Sequence, residues 1–172
     1  MQITKKVRLI IASISLPILF QFCNNSANQK IVDTSNTDFI ISFQDPLKTK
    51  DTQLGVISRE QIIKEFEKIN WSGYLKKMNT AKRSEIYFSP SLEIHRKDNS
   101  LLLAISANGN SNNYDFAIMY NRPKKIKSSN GVEALYKNHL TDTLGQSRQN
   151  VIDCLNALIK DDTAYLENKI GR

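Results

Sequence analysis

Cysteine and histidine are scarce in this chain, which contains two of each among its 172 residues. The two cysteines, Cys23 and Cys154, allow at most one disulfide bond, and this excludes a disulfide framework. Cys154 lies in an apolar helical pattern, where a small buried thiol is the ordinary interpretation. Neither histidine belongs to a spaced set of metal ligands, so we predict no metal and no other cofactor.

Glycine and proline are also infrequent, with six and four residues. Gly109 stands alone in its segment, so the chain has no glycine-rich loop of the kind that cradles a phosphate. The sequence "GQS" at 145–147 lacks the spacing of a G-x-S-x-G nucleophile elbow, and Ser147 is explained as a helix cap. The sequence therefore contains no motif that indicates nucleotide binding or a catalytic nucleophile.

Two histidine–carboxylate pairs are the remaining candidates for acid–base or metal chemistry. His95 and Glu93 are two residues apart on a predicted strand, where side chains on one face are about 6–7 Å apart and too distant for a direct hydrogen bond. His139 has Asp142 nearby but no spaced third ligand. Solvated surface positions explain these residues more simply, so we predict a non-enzymatic protein.

Positive charge is the main compositional excess, with a formal net charge of +7. Lys5, Lys6 and Arg8 supply three of these charges in an N-terminal segment without acids, and taking them away leaves +4. The remaining basic residues are spread among acids and form no stripe interleaved with stacking aromatics. We therefore predict no nucleic-acid partner.

The N-terminal segment combines this basic start with an apolar run over residues 9–20. Polar residues and Pro17 interrupt the run, and it is shorter than the roughly 20 apolar residues that span a bilayer. Cys23 follows directly, and the polar sequence "NNSANQK" comes after it. A charged region followed by a short apolar region is typical of an export signal.

These residues resemble a bacterial lipoprotein signal. The resemblance implies that residues 1–22 are removed, that Cys23 is acylated and becomes the N-terminus, and that the acyl chains hold the protein on the membrane of the cell envelope. Residues 23–38 are then a flexible tether and residues 39–172 a single globular domain. Phe22 stands where that family usually has a small residue, so cleavage near Ala27, giving a periplasmic or secreted protein, and an uncleaved anchor stay open.

The body of the chain contains several helical patterns. Ser58 and Gln61 form a capping box before "IIKEFEKI", and a second short helix is predicted over residues 71–78. Residues 131–140 are predicted as a short helix. Ser147 caps a longer amphipathic helix, which "AYLENKIG" follows as a further helical turn.

Short apolar segments separated by turn-forming residues indicate strands. "FIISF" is predicted as a first strand, followed by a loop over "QDPLKTKDTQLG". Four further strands, "EIYFS", "SLEIHRK", "LLLAISA" and "YDFAIMY", form an antiparallel meander, and "RPKKIKSSNG" then leaves the sheet. The sequence therefore predicts an α+β fold, with an antiparallel sheet of about four or five strands packed with N- and C-terminal helices.

The segment "YNRPKKIK" is the candidate interaction surface, with Arg122, Lys124, Lys125 and Lys127 close together. Its charge suits an acidic protein partner or anionic lipid headgroups. A solvated edge strand, protected by its lysines from pairing with other sheets, explains the same residues.

These observations predict an exported, lipid-anchored protein of the bacterial envelope that acts as a binding or interaction module. A toxin-neutralising immunity protein, an envelope assembly factor and a small envelope hydrolase are the alternatives. The hydrolase requires that residues such as His95, His139, Asp142 and Cys154 converge in one cleft.

Overall fold

The computed structural model describes residues 39–98 and 100–171. Six strands within these ranges form one antiparallel sheet, in which the first strand lies between the second and the third, and the others follow in chain order. Four α-helices in the same ranges accompany the sheet. The strands are β1 (Phe39–Gln44), β2 (Thr52–Ile57), β3 (Ser91–Arg96), β4 (Leu102–Asn110), β5 (Asn113–Lys127) and β6 (Glu133–Gln146); the helices are α1 (Ile62–Lys68), α2 (Trp71–Thr80), α3 (Arg148–Ile159) and α4 (Thr163–Ile170).

Alternation along the strands places the core on one face of the sheet. Ile41, Ile94, Leu103 and Tyr120 are side by side on four neighbouring strands, and each is at most 1% exposed. Because successive side chains on a strand point to opposite faces, the buried residues two positions away share this inner face. The other face, called here the outer face, carries the row Ile40, His95, Leu102, Asn121 and Leu140.

An aromatic cluster joins the helices to this inner face. The ring of Trp71, at the start of α2, is 5.5 Å from that of Phe66 on α1 and 5.4 Å from that of Phe116 on β5. Its indole N–H donates to the backbone carbonyl of Phe66 at 3.2 Å, so the one polar atom of this buried side chain is paired. The cluster fixes α1 and α2 over the middle of the sheet.

Side-chain caps set the starts of three helices. Asn70 accepts from the Gly73 N–H at 2.9 Å, Ser147 from the Asn150 N–H at 3.2 Å, and the Asp162 carboxylate accepts similarly at the start of α4. A Cβ atom at Gly73 would lie 2.7 Å from the Asn70 side chain. Glycine at this position therefore permits the close approach of the cap.

Most of the predicted elements are confirmed. The α+β class is correct, and so are the strands β1, β3, β4 and β5 and the helical segments α1, α2, α3 and α4. Next to the first helix, the Ser58 N–H donates to the Gln61 side chain at 3.0 Å, which is one half of the predicted capping box.

Four details of the prediction are wrong. Within the described residues the sheet has six strands rather than four or five, because β2 and β6 both join it. Residues 52–57 pair with β1 instead of forming a loop. Residues 85–89 are not a strand but follow a short 3₁₀ turn. Residues 122–127 remain in the sheet, and residues 133–140 belong to β6 instead of a helix. The turn at Gly131, whose φ is +85°, reverses the chain and allows these two segments to pair.

The predicted signal peptide, Cys23 and the tether lie outside the described residues, and so does the predicted boundary at residue 38. In the part of the chain that the structure describes, no helix is long and apolar enough to cross a membrane.

Candidate functional site

Arg122 is buried at the end of the inner face of β5, where it is 5% exposed. Its Nη1 group donates to the Thr141 hydroxyl at 2.6 Å and to the backbone carbonyls of Tyr120 and His139 at 3.2 and 3.3 Å. The guanidinium also lies over the Tyr120 ring, 4.6 Å from its centroid. These contacts connect Arg122 to both β5 and β6, and they orient a planar group with several donors.

Glu167 on α4 balances this buried charge. Its carboxylate accepts from Nε and Nη2 of Arg122, the second at 2.7 Å, and from Nζ of Lys124 at 2.7 Å. The hydrogen bond from Arg122, reinforced by Lys124, lowers the pKa of Glu167 to about 2. The ion pair therefore fastens α4 to the inner face of the sheet, beside β5 and β6.

The four basic residues predicted as an interaction surface thus have different positions. Arg122 is buried and Lys124 is half-buried against Glu167, whereas Lys125 and Lys127 are exposed. Their strand, β5, is not at the edge of the sheet, because it lies between β4 and β6. Protection of a sheet edge by lysines therefore does not explain these residues.

Residues 125–136, called here the hairpin tip, extend beyond the Arg122–Glu167 ion pair. Lys127 pairs in register with Glu133 and Lys124 with Tyr136, and the Ser128 N–H closes the turn by donating to the Val132 carbonyl at 2.9 Å. Val132 is 60% exposed and Tyr136 is 53% exposed. The hairpin tip therefore presents lysines and large apolar side chains on an ordered ribbon.

The rest of β6 is a long edge strand that the sequence analysis did not predict. Leu140 and Leu144 are 58% and 69% exposed and lie on the outer face of the sheet. The alternation of these leucines with Thr141 and Thr143 is a strand signal, but it extends over only a few residues. The apolar residues before it, at 134–136, also suit a helix.

The histidine–carboxylate pairs do not form a catalytic cluster. His95 Nε2 and Glu93 Oε2 are 3.3 Å apart, so they are closer than predicted, and Glu93 also accepts from the Gln44 amide at 2.7 Å. His139 and Asp142 lie on opposite faces of β6. Among the described residues, no group of three or more His, Cys, Asp or Glu is placed to hold a metal ion.

Cys154 is buried in the core, on α3, and is 0% exposed. Burial raises the pKa of its thiol to about 11, which keeps it protonated and unreactive at neutral pH. Cys154 belongs to the core on the inner side of the sheet, whereas His95 lies on the outer face, so the two do not share a cleft.

A cleft of about 370 Å³ lies where β1 and β2 approach the start of α2. Its apolar floor includes Phe43 and Tyr74, whose ring centroids are 4.7 Å apart. Both lysines at its rim have an acidic neighbour in the same wall, at 4.0 Å for Lys48 and 2.5 Å for Lys68. The cleft therefore offers apolar contact without an unpaired charge that would orient a ligand.

No protein-family model matches the chain, no curated protein matches it in sequence, and no solved structure matches it. The candidate surfaces are therefore judged on their own geometry.

The substitution Glu167→Gln should make stability less sensitive to acid. In the parent chain, whose Glu167 has a lowered pKa, the ionised carboxylate stabilises the fold fully above about pH 4.5. This contribution is lost as the pH falls towards about 2. Glu167→Gln should lower the free energy of unfolding by about 2 kcal/mol at pH 7, because Arg122 keeps a hydrogen bond but loses its counter-charge. Urea unfolding at pH 7, 4 and 2.5 measures both effects.

The matched control is Glu67→Gln. Glu67 is half-exposed, and its oxygen is 3.8 Å from the Arg148 guanidinium, so this change should alter stability by less than about 0.5 kcal/mol. Equal losses in the two variants would contradict the role assigned to the Arg122–Glu167 pair.

Proposed function

We propose that this chain is a lipid-anchored protein of the bacterial envelope that binds an acidic protein partner through its hairpin tip. The observation that supports this function best is an ordered ribbon that exposes Lys125 and Lys127 on one face, Tyr136 on the other face and Val132 at its turn. The lipoprotein-like sequence around Cys23 supports the anchor.

The shape of the hairpin tip favours a protein over a small ligand. Small molecules are usually held in concave pockets, whereas the tip is a projecting two-stranded ribbon. Tyrosine and aliphatic side chains at the centre of an interface supply binding energy by burial, and lysines at its rim attract acidic partners and set their orientation. Val132, Tyr136, Lys125 and Lys127 provide both kinds of group.

Order in the free hairpin tip supports the same proposal. Arg122 and Glu167 fix the base of the hairpin, and the Ser128–Val132 hydrogen bond closes its end. A partner then binds a preformed surface and loses less affinity to the entropy of ordering it. A toxin-neutralising immunity protein is one case of this function, since it also captures a single protein with a compact charged surface.

The anchor is tested by changing Cys23→Ala in the full chain and expressing it in its native host. We expect the parent chain to partition into membranes with a mass that fits loss of residues 1–22 and gain of acyl chains, and the variant to show neither property. Intact-mass spectrometry and membrane fractionation measure this. Cys154→Ala is the control, and an unacylated parent chain that begins elsewhere would contradict the anchor.

The partner is tested with a photo-crosslinking amino acid at position 132 of the full chain in host cells. We expect one discrete adduct with an acidic protein, and its loss in the double variant Lys125→Glu/Lys127→Glu, because charge reversal repels that partner. Gel mobility and mass spectrometry identify the adduct. Crosslinking from position 87, which is also half-exposed, should not give it.

The control for total charge is Lys64→Glu/Lys76→Glu, which alters two exposed lysines on the helices and should leave the adduct intact. The proposal fails if position 132 crosslinks only to lipid or to this chain itself, or if both charge-reversal variants have the same effect.

A further inference from the structure

The middle of β6 is a regular strand at the edge of the sheet. Among the described residues, no strand pairs with the side of β6 that is turned away from β5. Residues 139–143 pair with β5 in unbroken register, from Arg122 opposite His139 to Ile118 opposite Thr143. Register shifts bound this stretch: β6 has one extra residue near 137–138 and another near 144–145. Its outward N–H and C=O groups are therefore available to a further strand.

Apart from its two bulges, this edge has little of the protection that sheet edges usually carry. β6 is 14 residues long and contains a single lysine and no proline. Natural edges are commonly shortened, charged or covered to prevent pairing with another chain. Instead, the outer face of β6 exposes three leucines, at positions 135, 140 and 144, each more than half exposed.

The side chains on the outer face of β6 are arranged symmetrically about Leu140. Tyr136 and His139 face inward, because they pair with Lys124 and Arg122. The two residues of the bulge between them, Lys137 and Asn138, therefore lie on the outer face, and both line a small cavity with His95 and Asn121. When each extra residue is counted together with its neighbour, Lys137 and Asp142 are two positions from Leu140 on either side. Leu135 and Leu144 are four positions away, so the order is apolar, basic, apolar, acidic, apolar.

This order is complementary to itself in an antiparallel pair. A two-fold axis at Leu140 brings the two copies of that leucine together, sets each Lys137 opposite the Asp142 of the other chain, and sets each Leu135 opposite Leu144. Directly opposed side chains of opposite charge or apolar character stabilise a strand pair. A contact in which the same surface serves both partners closes as a dimer.

We propose that β6 pairs with β6 of a second copy of this chain, which joins the two sheets into one of twelve strands. The mixed charge of this edge favours a second copy over the acidic partner of the hairpin tip, because Asp142 would repel a uniformly acidic strand. The opposite edge, β2, does not have this arrangement: it is six residues long and carries no charged residue.

The first test is a single substitution, Leu140→Cys, in the full chain in its native host. Residues directly opposite in an antiparallel pair have Cα atoms about 4.5–5.5 Å apart, which is within the range for a disulfide bond. We expect mild oxidation to give a disulfide-linked dimer on a non-reducing gel. The parent chain, oxidised in parallel, reports any background from Cys23 or Cys154.

Val56→Cys is the matched control. Val56 is 57% exposed against 58% for Leu140, and it pairs with Ile40 at the other end of the same row of the sheet. We expect no dimer from Val56→Cys. Equal crosslinking of the two variants, or none from Leu140→Cys, would overturn the proposal.

The second test reverses the charges in the Leu140→Cys background. Lys137→Asp should lower the rate of dimer formation about tenfold, because it places like charges opposite each other twice in the pair. Adding Asp142→Lys should restore the rate. Failure of the double reversal to restore it would also overturn this pairing.

The dimer and the hairpin-tip partner can be separated experimentally. Lys125→Glu/Lys127→Glu should abolish the partner adduct and leave the Leu140→Cys disulfide intact, so either proposal can fail without the other.

Discussion

The ion pair between Arg122 and Glu167 is the interaction on which the position of β6 and the hairpin tip depends. Arg122 donates to carbonyl or hydroxyl groups of β5 and β6, and its remaining hydrogen bonds go to the Glu167 carboxylate on α4. A cation buried at 5% exposure is costly without its partner, so the fold strongly favours the arrangement in which α4 reaches the sheet. The hairpin tip begins where this network ends.

The two proposed surfaces follow from a sheet whose hydrophobic core lies on one face. The helices cover the inner face around Trp71, and β6 lies at the margin of this core with threonines directed inward and leucines outward. Apolar side chains at such an edge gain little from the fold itself, and pairing with another strand gives them contacts. The lysines of the hairpin tip lie beside this edge, so one hairpin can serve two partners.

The sequence predicted the helices and central strands because their apolar residues repeat at regular spacing. Val151, Cys154 and Leu158 mark the buried side of α3, and Ser147 marks its start. The spacing of residues did not predict β6, because its leucines alternate with threonines over only a few residues. It could not predict the burial of Arg122, which depends on a residue 45 positions away. The contact between His95 and Glu93 was missed because side-chain conformation, and not backbone spacing alone, sets their distance.

The most direct measurement is amide hydrogen exchange across the full chain and its Arg122→Met variant. Exchange rates report the local free energy of opening, segment by segment. If the ion pair positions β6, the variant should lose protection in β6 and α4 while β1, β3 and β4 keep theirs. Unchanged protection in β6, or an equal loss throughout the sheet, would contradict this account.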